Sequence, residues 1–477
     1  MKIIGRKEEI EVMSSFLTNK RAHLLAVIGR RRVGKTFLIR EVYKKKIAFE
    51  MTGLKNADLN NQLLNFTLQI NTYFPREEQY SKPDSWLLAF NLLSKTLSYL
   101  NTDQKPVVFF DEIPWIASKR SGFMEALAHW WNNWASQQNI IVVICGSAAS
   151  WMLEHVVNAK GGLHNRITKL ITLMPFTLSE TKEFLEEKRI EISNYQIIQL
   201  YLAMGGIPHY LEHISKGKSA AHNIQEMCFS KDGILNTEFE NLYPALFDNA
   251  GNHIKIIKAL ASKSRGLERQ EILKITGMSD GGWFSNILNE LGTSGFISTY
   301  EPLEKKKKDT LYRLTDEYSL FYLNFIEDKS KSGLDNWMRM SQSQEYKIWC
   351  GYAFENLCMK HVDDIKKALG ISGVQTNVNS FLHRKDETYE KGFQIDMLID
   401  RKDDVINICE MKFYSDEFSI SSEYAKNLRT KKQGLKVVTK TKKMVYITFI
   451  TTYGVLENQN KIDLVENDFT IDILFNS

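Results

Sequence analysis

The chain contains Gly29-Arg30-Arg31-Arg32-Val33-Gly34-Lys35-Thr36, which has the spacing Gly-x-x-x-x-Gly-Lys-Thr. A polyphosphate needs several donors close together, and the two glycines let the backbone curl so that successive N–H groups point at it. An apolar run at residues 23–28 precedes the stretch, and a helical pattern from Phe37 follows it. A helix N-terminus adds a favourable dipole for anions. The stretch therefore predicts a phosphate-binding loop between a strand and a helix.

The same pattern assigns chemistry to individual side chains. The Lys35 ammonium can reach the β- and γ-phosphates of ATP, and the Thr36 hydroxyl can bind the accompanying Mg²⁺. A glycine-rich turn without a ligand is the alternative interpretation, which the flanking strand and helix weaken. The residues predicted to contact ATP are Gly29, Arg30, Arg31, Arg32, Val33, Gly34, Lys35, Thr36, Phe37, Asp111 and Ser147.

Two carboxylates end the apolar run at residues 106–110. Asp111 and Glu112 directly follow four β-forming residues, which is typical of a buried parallel strand whose carboxyl end reaches an active face. We expect Asp111 to hold Mg²⁺ through water and Glu112 to polarise the attacking water as the catalytic base. A solvated strand end is the alternative.

Two more candidates come from later positions in the same region. Ser147 follows the apolar run at residues 140–146, where it could sense the γ-phosphate or the attacking water, or be a turn residue. Arg166 precedes another predicted strand. It is a candidate catalytic arginine finger, and a surface ion pair is an equal alternative.

Composition places the chain among ordinary globular proteins. Its 477 residues exceed what one core supports and suggest about three domains. The net charge of +5 permits nucleic-acid binding without arguing for it. The five cysteines form no C-x-x-C pair, which is typical of reduced thiols in a cytoplasmic protein. No signal-peptide pattern and no apolar run of about 20 residues occurs, so we expect no membrane association.

The first 210 residues resemble the archaeal-type ATPases of the AAA+/STAND branch of P-loop proteins. The resemblance implies a parallel sheet with an additional strand between the loop strand and the acid-tipped strand, then a helical lid in which Gly205 and Gly206 serve as a hinge. From the residues alone, these glycines are expected to cap the preceding helix. The matching motifs, in chain order, are Ile4-Gly5-Arg6 with Glu8-Glu9, the phosphate-binding loop, Phe110-Asp111-Glu112, Cys145-Gly146-Ser147, Asn165-Arg166-Ile167 through Met174-Pro175-Phe176, and Gly205-Gly206-Ile207-Pro208 with Tyr210-Leu211.

The middle of the chain predicts a winged helix-turn-helix. Helical patterns at residues 252–262, 268–276 and 283–292 precede two alternating stretches at 296–300 and 310–314. The lysines at 305–308 would lie at the tip of this hairpin and could contact phosphates. The alternative is that the lysine-rich tip serves solubility and that the winged helix packs as an internal scaffold.

The C-terminal part predicts a second catalytic centre. Residues 395–400 and 406–413 read as two strands joined by a polar turn, and period-2 geometry places Glu410 and Lys412 on one face. Pairing of the strands brings Asp396 near enough to share a divalent cation with Glu410, and Glu355, from an apolar helix, could complete the site. Two carboxylates and a lysine suit metal-assisted phosphodiester cleavage.

This pattern resembles the PD-(D/E)XK nuclease fold, with Ile395 in place of the proline of the motif. The resemblance implies that Asp396, Glu410 and Lys412 are catalytic, that Glu355, Asp396 and Glu410 bind the metal, and that a helix at 422–431 covers the site. Lys431 and Gln433 are auxiliary candidates. There are two alternatives. One is an exposed hairpin with ordinary ion pairs, and the other is a nuclease-like domain without activity.

Together these patterns predict an α/β protein in three parts. Residues 1–210 would form the P-loop ATPase domain with the start of the lid. Residues 211–335 would form the remaining lid and the winged helix, and residues 340–477 would form a restriction-endonuclease-like domain. The chain resembles the DEXX-box ATPase group, which has this arrangement. The cofactors are ATP and Mg²⁺, with Mn²⁺ as a second candidate at the nuclease site. ATP would control cleavage of nucleic acid, with DNA favoured, and a homo-oligomer is compatible with this. The alternative is an ATP-driven switch whose C-terminal domain only binds nucleic acid or protein.

Overall fold

The computed structural model describes residues 2–100, 104–118, 120–158, 162–163, 165–247, 249–300, 310–328 and 336–476. The chain divides into two compact units, Met1–Pro175 and Phe176–Ser477. The predicted ATPase domain, 1–210, extends past this boundary because it includes the first lid helices. The further boundary between the middle and C-terminal parts stays a prediction.

The first unit is a five-stranded parallel sheet with helices around it, and the strand order is β2-β3-β4-β1-β5. β4 lies between the loop strand β1 and the acid-tipped strand β3, which confirms the additional strand that the resemblance implied. The elements are α1 (Lys7–Ser15), β1 (His23–Ile28), α2 (Lys35–Tyr43), β2 (Ile47–Thr52), α3 (Leu59–Tyr73), α4 (Trp86–Ser98), β3 (Val107–Asp111), α5 (Ile113–Ile116), α6 (Phe123–Asn133), β4 (Ile141–Gly146), α7 (Ala149–Met152) and β5 (Lys169–Thr172).

The sequence forms this sheet because its central strands are continuous apolar runs. Every residue of β1, β3 and β4 is buried, as expected where helices cover both faces of a parallel sheet. One face packs on the aromatic side chains of α3, α4 and α6, including Phe66, Phe90 and Trp130. The polar residues that follow each strand are therefore left at the carboxyl edge.

The second unit begins with helices and a small antiparallel sheet. The predicted middle helices are present as α13, α14 and α15, and the sheet has the order β6-β8-β7. The lysine-rich tip at residues 305–308 lies outside the described residues. The elements are α8 (Leu178–Glu187), α9 (Asn194–Met204), α10 (Pro208–Leu211), α11 (Ala220–Ile224), α12 (Glu238–Leu242), α13 (Ala250–Ala261), β6 (Leu267–Glu268), α14 (Arg269–Thr276), α15 (Gly282–Thr293), β7 (Ile297–Tyr300), β8 (Leu311–Leu314), α16 (Glu317–Phe321) and α17 (Asn336–Met340).

The C-terminal part of this unit holds a mixed five-stranded sheet with the order β13-β12-β11-β10-β9. The β9, β10 and β11 strands run antiparallel, whereas β11, β12 and β13 run parallel. Apolar residues of α20, such as Leu428 and Leu435, cover one face. The elements are α18 (Gln344–Lys360), α19 (Val362–Ala368), β9 (Thr376–His383), β10 (Phe393–Arg401), β11 (Val405–Lys412), α20 (Ser422–Thr439), β12 (Met444–Thr451), α21 (Gln459–Leu464) and β13 (Asn467–Thr470).

Short 3-10 and π-helical segments complete the described chain. The 3-10 segments are Lys44–Lys46, Ala135–Gln137 and Ile471–Phe475, and the π-helical segments are Leu153–Val157, Gln225–Phe229 and Tyr322–Ile326. All five cysteines are unpaired and buried, in agreement with the reduced thiols expected from their spacing. In the parts of the chain that the structure describes, no helix is both long and apolar enough to cross a membrane.

The glycine pair at residues 205–206 ends α9 as predicted. Gly205 is the C-cap with φ 68°, and its N–H donates to the Tyr201 carbonyl at 2.7 Å. A Cβ on Gly206 would lie 2.0 Å from the Phe176 carbonyl oxygen. The two backbones are this close because the Phe176 N–H donates to the Gly206 carbonyl at 2.7 Å. The capping role is confirmed, and the hinge role stays a prediction.

We expect Gly206→Ala to lower the free energy of unfolding by about 1–3 kcal/mol, since the methyl group forces a backbone shift. Gly251→Ala is the matched control, because Gly251 lies inside α13 with nothing within 4 Å of its Cβ position. That change should stabilise the protein by about 0.5–1 kcal/mol. Urea denaturation of both variants measures the difference, and equal midpoints would contradict the close approach at Gly206.

Candidate functional site

The phosphate-binding loop connects β1 to α2 and depends on two glycines. Gly29 has φ 152° and Gly34 has φ 92°, values that favour glycine. A Cβ on Gly29 would lie 2.3 Å from the Leu173 carbonyl oxygen, so no larger residue fits. The buried Lys35 ammonium donates to the carbonyl oxygens of Gly29, at 2.8 Å, and Arg30, at 2.9 Å. The loop therefore places a cation directly beside its curled backbone.

Side chains that follow neighbouring strands meet at the carboxyl edge of the sheet. Thr36 Oγ1 donates to Asp111 Oδ2 at 2.7 Å. Ser147 donates to Glu112 Oε2 through its backbone N–H, at 3.0 Å, and through its hydroxyl, at 2.9 Å. These four residues, each predicted separately from the sequence, form two hydrogen-bonded pairs, one from the start of α2 to the end of β3 and one between the ends of β3 and β4.

Glu112 has two further properties typical of functional residues. Its backbone is left-handed with φ 49°, a conformation that is costly for a residue with a side chain. Burial raises the pKa of its carboxyl, an effect that the Lys35 charge and the Ser147 hydrogen bonds partly offset. A carboxyl that burial makes more basic is better suited to accept a proton near neutral pH.

The remaining predicted residues of this unit take different positions. Arg166 is exposed, and no hydrogen bond or ion pair among the described residues joins it to Lys35, Asp111 or Glu112. Its proposed finger role therefore finds no geometric support within the chain. Arg6 Nη2 donates to the Met174 carbonyl at 2.6 Å, so two of the motifs that carry the family resemblance contact each other.

The Thr36–Asp111 pair fits a magnesium ion. Both side chains supply hard oxygen donors, and Mg²⁺ in phosphoryl-transfer sites usually takes one or two protein ligands together with substrate phosphates. In the described ranges, no three His, Cys, Asp or Glu side chains are grouped as a metal site. A site completed by ATP phosphates needs no such group.

The second candidate centre lies on β10 and β11. Met397 of β10 pairs with Cys409 of β11. Asp396 precedes Met397 on β10, Glu410 follows Cys409 on β11, and Lys412 lies two residues beyond Glu410. The Lys412 ammonium is 3.6 Å from Glu410 Oε2. The fold therefore brings Lys412 close to Glu410, and the shared metal site with Asp396 stays a prediction.

Glu410 is engaged by two residues of the covering helix α20. Lys431 pairs with Oε1, and the Tyr424 hydroxyl donates to Oε2. Burial opposes ionisation of Glu410, but Lys431 and Lys412 together hold the pKa of its carboxyl below the usual value. Lys431 was an auxiliary candidate from the sequence, whereas Tyr424 was missed because a tyrosine in an amphipathic helix gives no separate signal.

Glu355 and Asp396 line one cavity of about 700 Å³ in the second unit. Burial, with Asp396 nearby, raises the pKa of Glu355 to about 8, against the opposing charge of Lys412. The three predicted acids are therefore electrostatically coupled, yet they do not form a three-carboxylate metal group among the described residues. Two carboxylates in one cavity still match the small protein ligand sets that Mg²⁺ uses.

Comparisons with known proteins agree with the geometry of the first unit. Residues 3–214 match a family described as an ATPase domain predominantly from Archaea. An uncharacterized protein of Methanocaldococcus jannaschii is 22% identical over 387 residues, which are 80% of this chain and 82% of that protein. This similarity extends well beyond the residues that match the family.

Two solved structures are among those to which the chain is similar. A Walker-type ATPase of Pyrococcus abyssi is 17% identical, with a TM-score of 0.47 over 68% of this chain and 96% of that chain. The ORC2 protein of Aeropyrum pernix is 16% identical, with a TM-score of 0.43 over 71% of this chain and 95% of that chain.

The loop, the parallel sheet and the paired strand-end residues define a P-loop nucleotide-binding domain. Residues 3–214, which match the family described as an ATPase domain predominantly from Archaea, contain all of these features.

Proposed function

We propose that the ATPase domain hydrolyses ATP with a fixed division of roles at the sheet edge. Lys35 and the loop N–H groups hold the phosphates, and Thr36 and Asp111 hold Mg²⁺, which neutralises charge on the phosphates. Glu112 polarises the attacking water, and Ser147 orients Glu112. The observation that carries this proposal is that the Thr36–Asp111 and Ser147–Glu112 pairs meet at the carboxyl end of β3.

We expect Lys35→Ala to weaken ATP binding by about 10-fold or more, because a charged donor to the phosphates is lost. Titration calorimetry measures this affinity directly. Lys45→Ala is a suitable control, since Lys45 is an exposed lysine in the turn that follows α2. Unchanged affinity in Lys35→Ala would remove the basis for assigning the phosphate site to this loop.

We infer that residues 250–314 form a winged helix. The support is the order of three helices, a short strand that pairs with β8, and the β7–β8 hairpin. The third helix, α15, contains no lysine or arginine, so it offers no cation to a phosphate backbone. Contacts to nucleic acid would have to come from other parts of this unit.

We propose that the C-terminal domain cleaves nucleic acid with a divalent metal, under the control of ATP. The supporting observation is that Asp396 and Glu410 directly adjoin the last β10–β11 register pair, Met397 with Cys409, and that Lys412 lies 3.6 Å from Glu410. The order of α18, three antiparallel strands, α20 and a parallel strand is compatible with the PD-(D/E)XK resemblance.

In the proposed cleavage reaction, the acidic side chains and the lysine have different roles. Asp396, Glu410 and Glu355 are the available carboxylate ligands, and Mg²⁺ or Mn²⁺ when bound would activate water and neutralise the scissile phosphate. Lys412 orients the nucleophile or stabilises the charge that develops on the phosphate. For Glu410 to act as a ligand, the Lys431 ammonium must leave its carboxylate.

The test is incubation of the purified chain with Mg²⁺ or Mn²⁺, with and without ATP, on single-stranded and duplex DNA and on RNA. We expect cleavage that requires the metal and that is lost with EDTA. The absence of cleavage on every substrate, with a chain that still hydrolyses ATP, would contradict the nuclease proposal and leave the ATPase assignment intact.

The alternative is an ATP-driven switch whose C-terminal domain only binds its partner. The contacts of Lys431 and Tyr424 with Glu410 favour this alternative, because they already satisfy the carboxylate without a metal. Binding of nucleic acid or protein that changes with the bound nucleotide, without cleavage, is the result expected of such a switch.

A further inference from the structure

The cavity beside Asp396 has more cationic than acidic side chains in its lining, and its wall comes from separate parts of the second unit. Arg265 and Arg313 belong to the middle part, Tyr352 to α18 and Lys426 to α20. Five cationic side chains line it together with Glu355 and Asp396, namely Arg265, Arg313, Lys391, Lys426 and Lys431. Of these, Lys431 is paired with Glu410 and Arg265 with Glu271. An excess of cations around two acids suits a ligand with repeated negative charges better than a single carboxylate or a metal alone.

Arg313 is a fixed part of this wall. Its side chain is buried, its Nε donates to the Arg265 carbonyl at 2.9 Å, and its guanidinium lies 5.0 Å from the centre of the Tyr300 ring. Arg265 is half-buried and bonds Glu271 at 3.4 Å. The middle part thus supplies two guanidinium groups to the cavity wall, of which Arg313 is held in place, and guanidinium groups match phosphate oxygens in geometry and charge.

A second cavity adjoins the first, and its lining is mixed in charge, with Glu268, Glu271 and Asp386 beside its arginines. This second cavity of about 480 Å³ shares Arg265, Arg313 and Gln394 with the first and extends along β9 to His383 and Arg384. Because the two cavities share these three residues, they adjoin each other, and we refer to them together as the depression between β9 and Asp396. A strand-like ligand could follow it in either direction.

We propose that this depression holds an unpaired nucleic-acid strand, with its phosphates on Arg265, Arg313 and Lys426 and a base stacked on Tyr352. The inference deepens the proposed cleavage function, since it names the substrate of the same site. The Tyr352 ring is 46% exposed in the wall, and a base can stack on it only when the base is not already paired and stacked in a duplex. Cations alternating with an aromatic face are typical of single-strand binding.

The experiment measures binding in EDTA, so that cleavage plays no part. Fluorescence anisotropy compares labelled single-stranded DNA, single-stranded RNA and duplex DNA of about 16 nucleotides, the upper end of common single-strand site sizes. We expect the single strands to bind more tightly than the duplex. The double variant Arg265→Gln/Lys426→Gln should bind them at least about 10-fold more weakly, with a salt slope reduced by about 1.4 for two lost phosphate contacts.

Matched controls separate this effect from misfolding. Lys436→Gln removes an exposed lysine of the same helix α20 that does not line either cavity, and its binding should equal that of the wild type. Tyr352→Phe should bind normally, whereas Tyr352→Ala should bind at least about 5-fold more weakly, since only the phenylalanine keeps the stacking face. Thermal unfolding and ATP hydrolysis should be unchanged in all four.

Each outcome bears on one proposal. Tighter duplex binding, no oligonucleotide binding, or wild-type affinity in the double variant would overturn the strand path, even if the chain cleaves nucleic acid. Conversely, the expected binding losses without any cleavage under Mg²⁺ or Mn²⁺ would support the strand path and refute the nuclease activity.

Discussion

Replacing Glu112 by glutamine is expected to slow ATP hydrolysis by about 10²- to 10⁴-fold and to leave ATP binding intact. The change removes a proton acceptor but keeps the shape of the side chain. Because an amide oxygen can still accept from Ser147, the local geometry should be preserved. Steady-state turnover and calorimetric ATP affinity, measured on the same preparation, separate the two effects.

A matched change elsewhere shows whether the loss is specific. Glu125→Gln, on the exposed side of α6, carries the same chemical change away from the strand ends and should hydrolyse ATP at the wild-type rate. Ser147→Ala should give an intermediate loss, since Glu112 stays present but loses a partner. Wild-type hydrolysis in Glu112→Gln would show that another group activates the water.

The nucleotide site could be read from the sequence because its parts are local. The loop is a continuous stretch, and Asp111 and Ser147 each directly follow an apolar run long enough to identify as a buried strand. Parallel strands then bring their carboxyl ends to one edge. Neither the hydrogen bonds to Glu112 nor its left-handed backbone could be predicted, because they depend on how two separate strand ends meet.

The C-terminal centre was predicted less completely. The β10–β11 hairpin gave a clear signal, but β9 did not, since two polar residues, Asn379-Ser380, followed by two apolar residues, Phe381-Leu382, break the alternation expected of a strand. The cationic wall was missed because Arg265 and Arg313 are far from Asp396 in sequence and neither belongs to a recognisable motif. Packing within the second unit creates that wall, and no local pattern encodes it.

The two candidate centres rest on separate sheets with separate apolar cores. The strands around Asp111 pack on α3, α4 and α6, whereas the strands around Glu410 pack on α20 and α21. A substitution in one sheet should therefore leave the packing of the other unchanged. This makes it feasible to remove one activity while the other reports on folding.

Asp396→Ala is expected to abolish nucleic-acid cleavage while ATP hydrolysis continues at a rate close to that of the wild type. Asp396 adjoins the Met397–Cys409 register pair, as Glu410 does on the partner strand, and its charge contributes to the raised pKa of Glu355. Removing it takes one carboxylate from the metal ligands and also relieves repulsion among the acids, so the fold should not lose stability. Cleavage under Mg²⁺ and Mn²⁺, ATP turnover and thermal unfolding are the three measurements.

Asp403→Ala is the control, because Asp403 lies in the exposed turn of the same hairpin and pairs with Arg401 on its surface. It should cleave as the wild type does. Since removal of Asp396 lowers the negative charge beside Glu355, the pKa of Glu355 should fall toward its ordinary value, which titration followed by NMR of the labelled carboxyl would detect. Equal cleavage by wild type and Asp396→Ala would place the reaction elsewhere. A loss of cleavage together with ATP hydrolysis and a lower melting temperature would instead assign Asp396 a structural role.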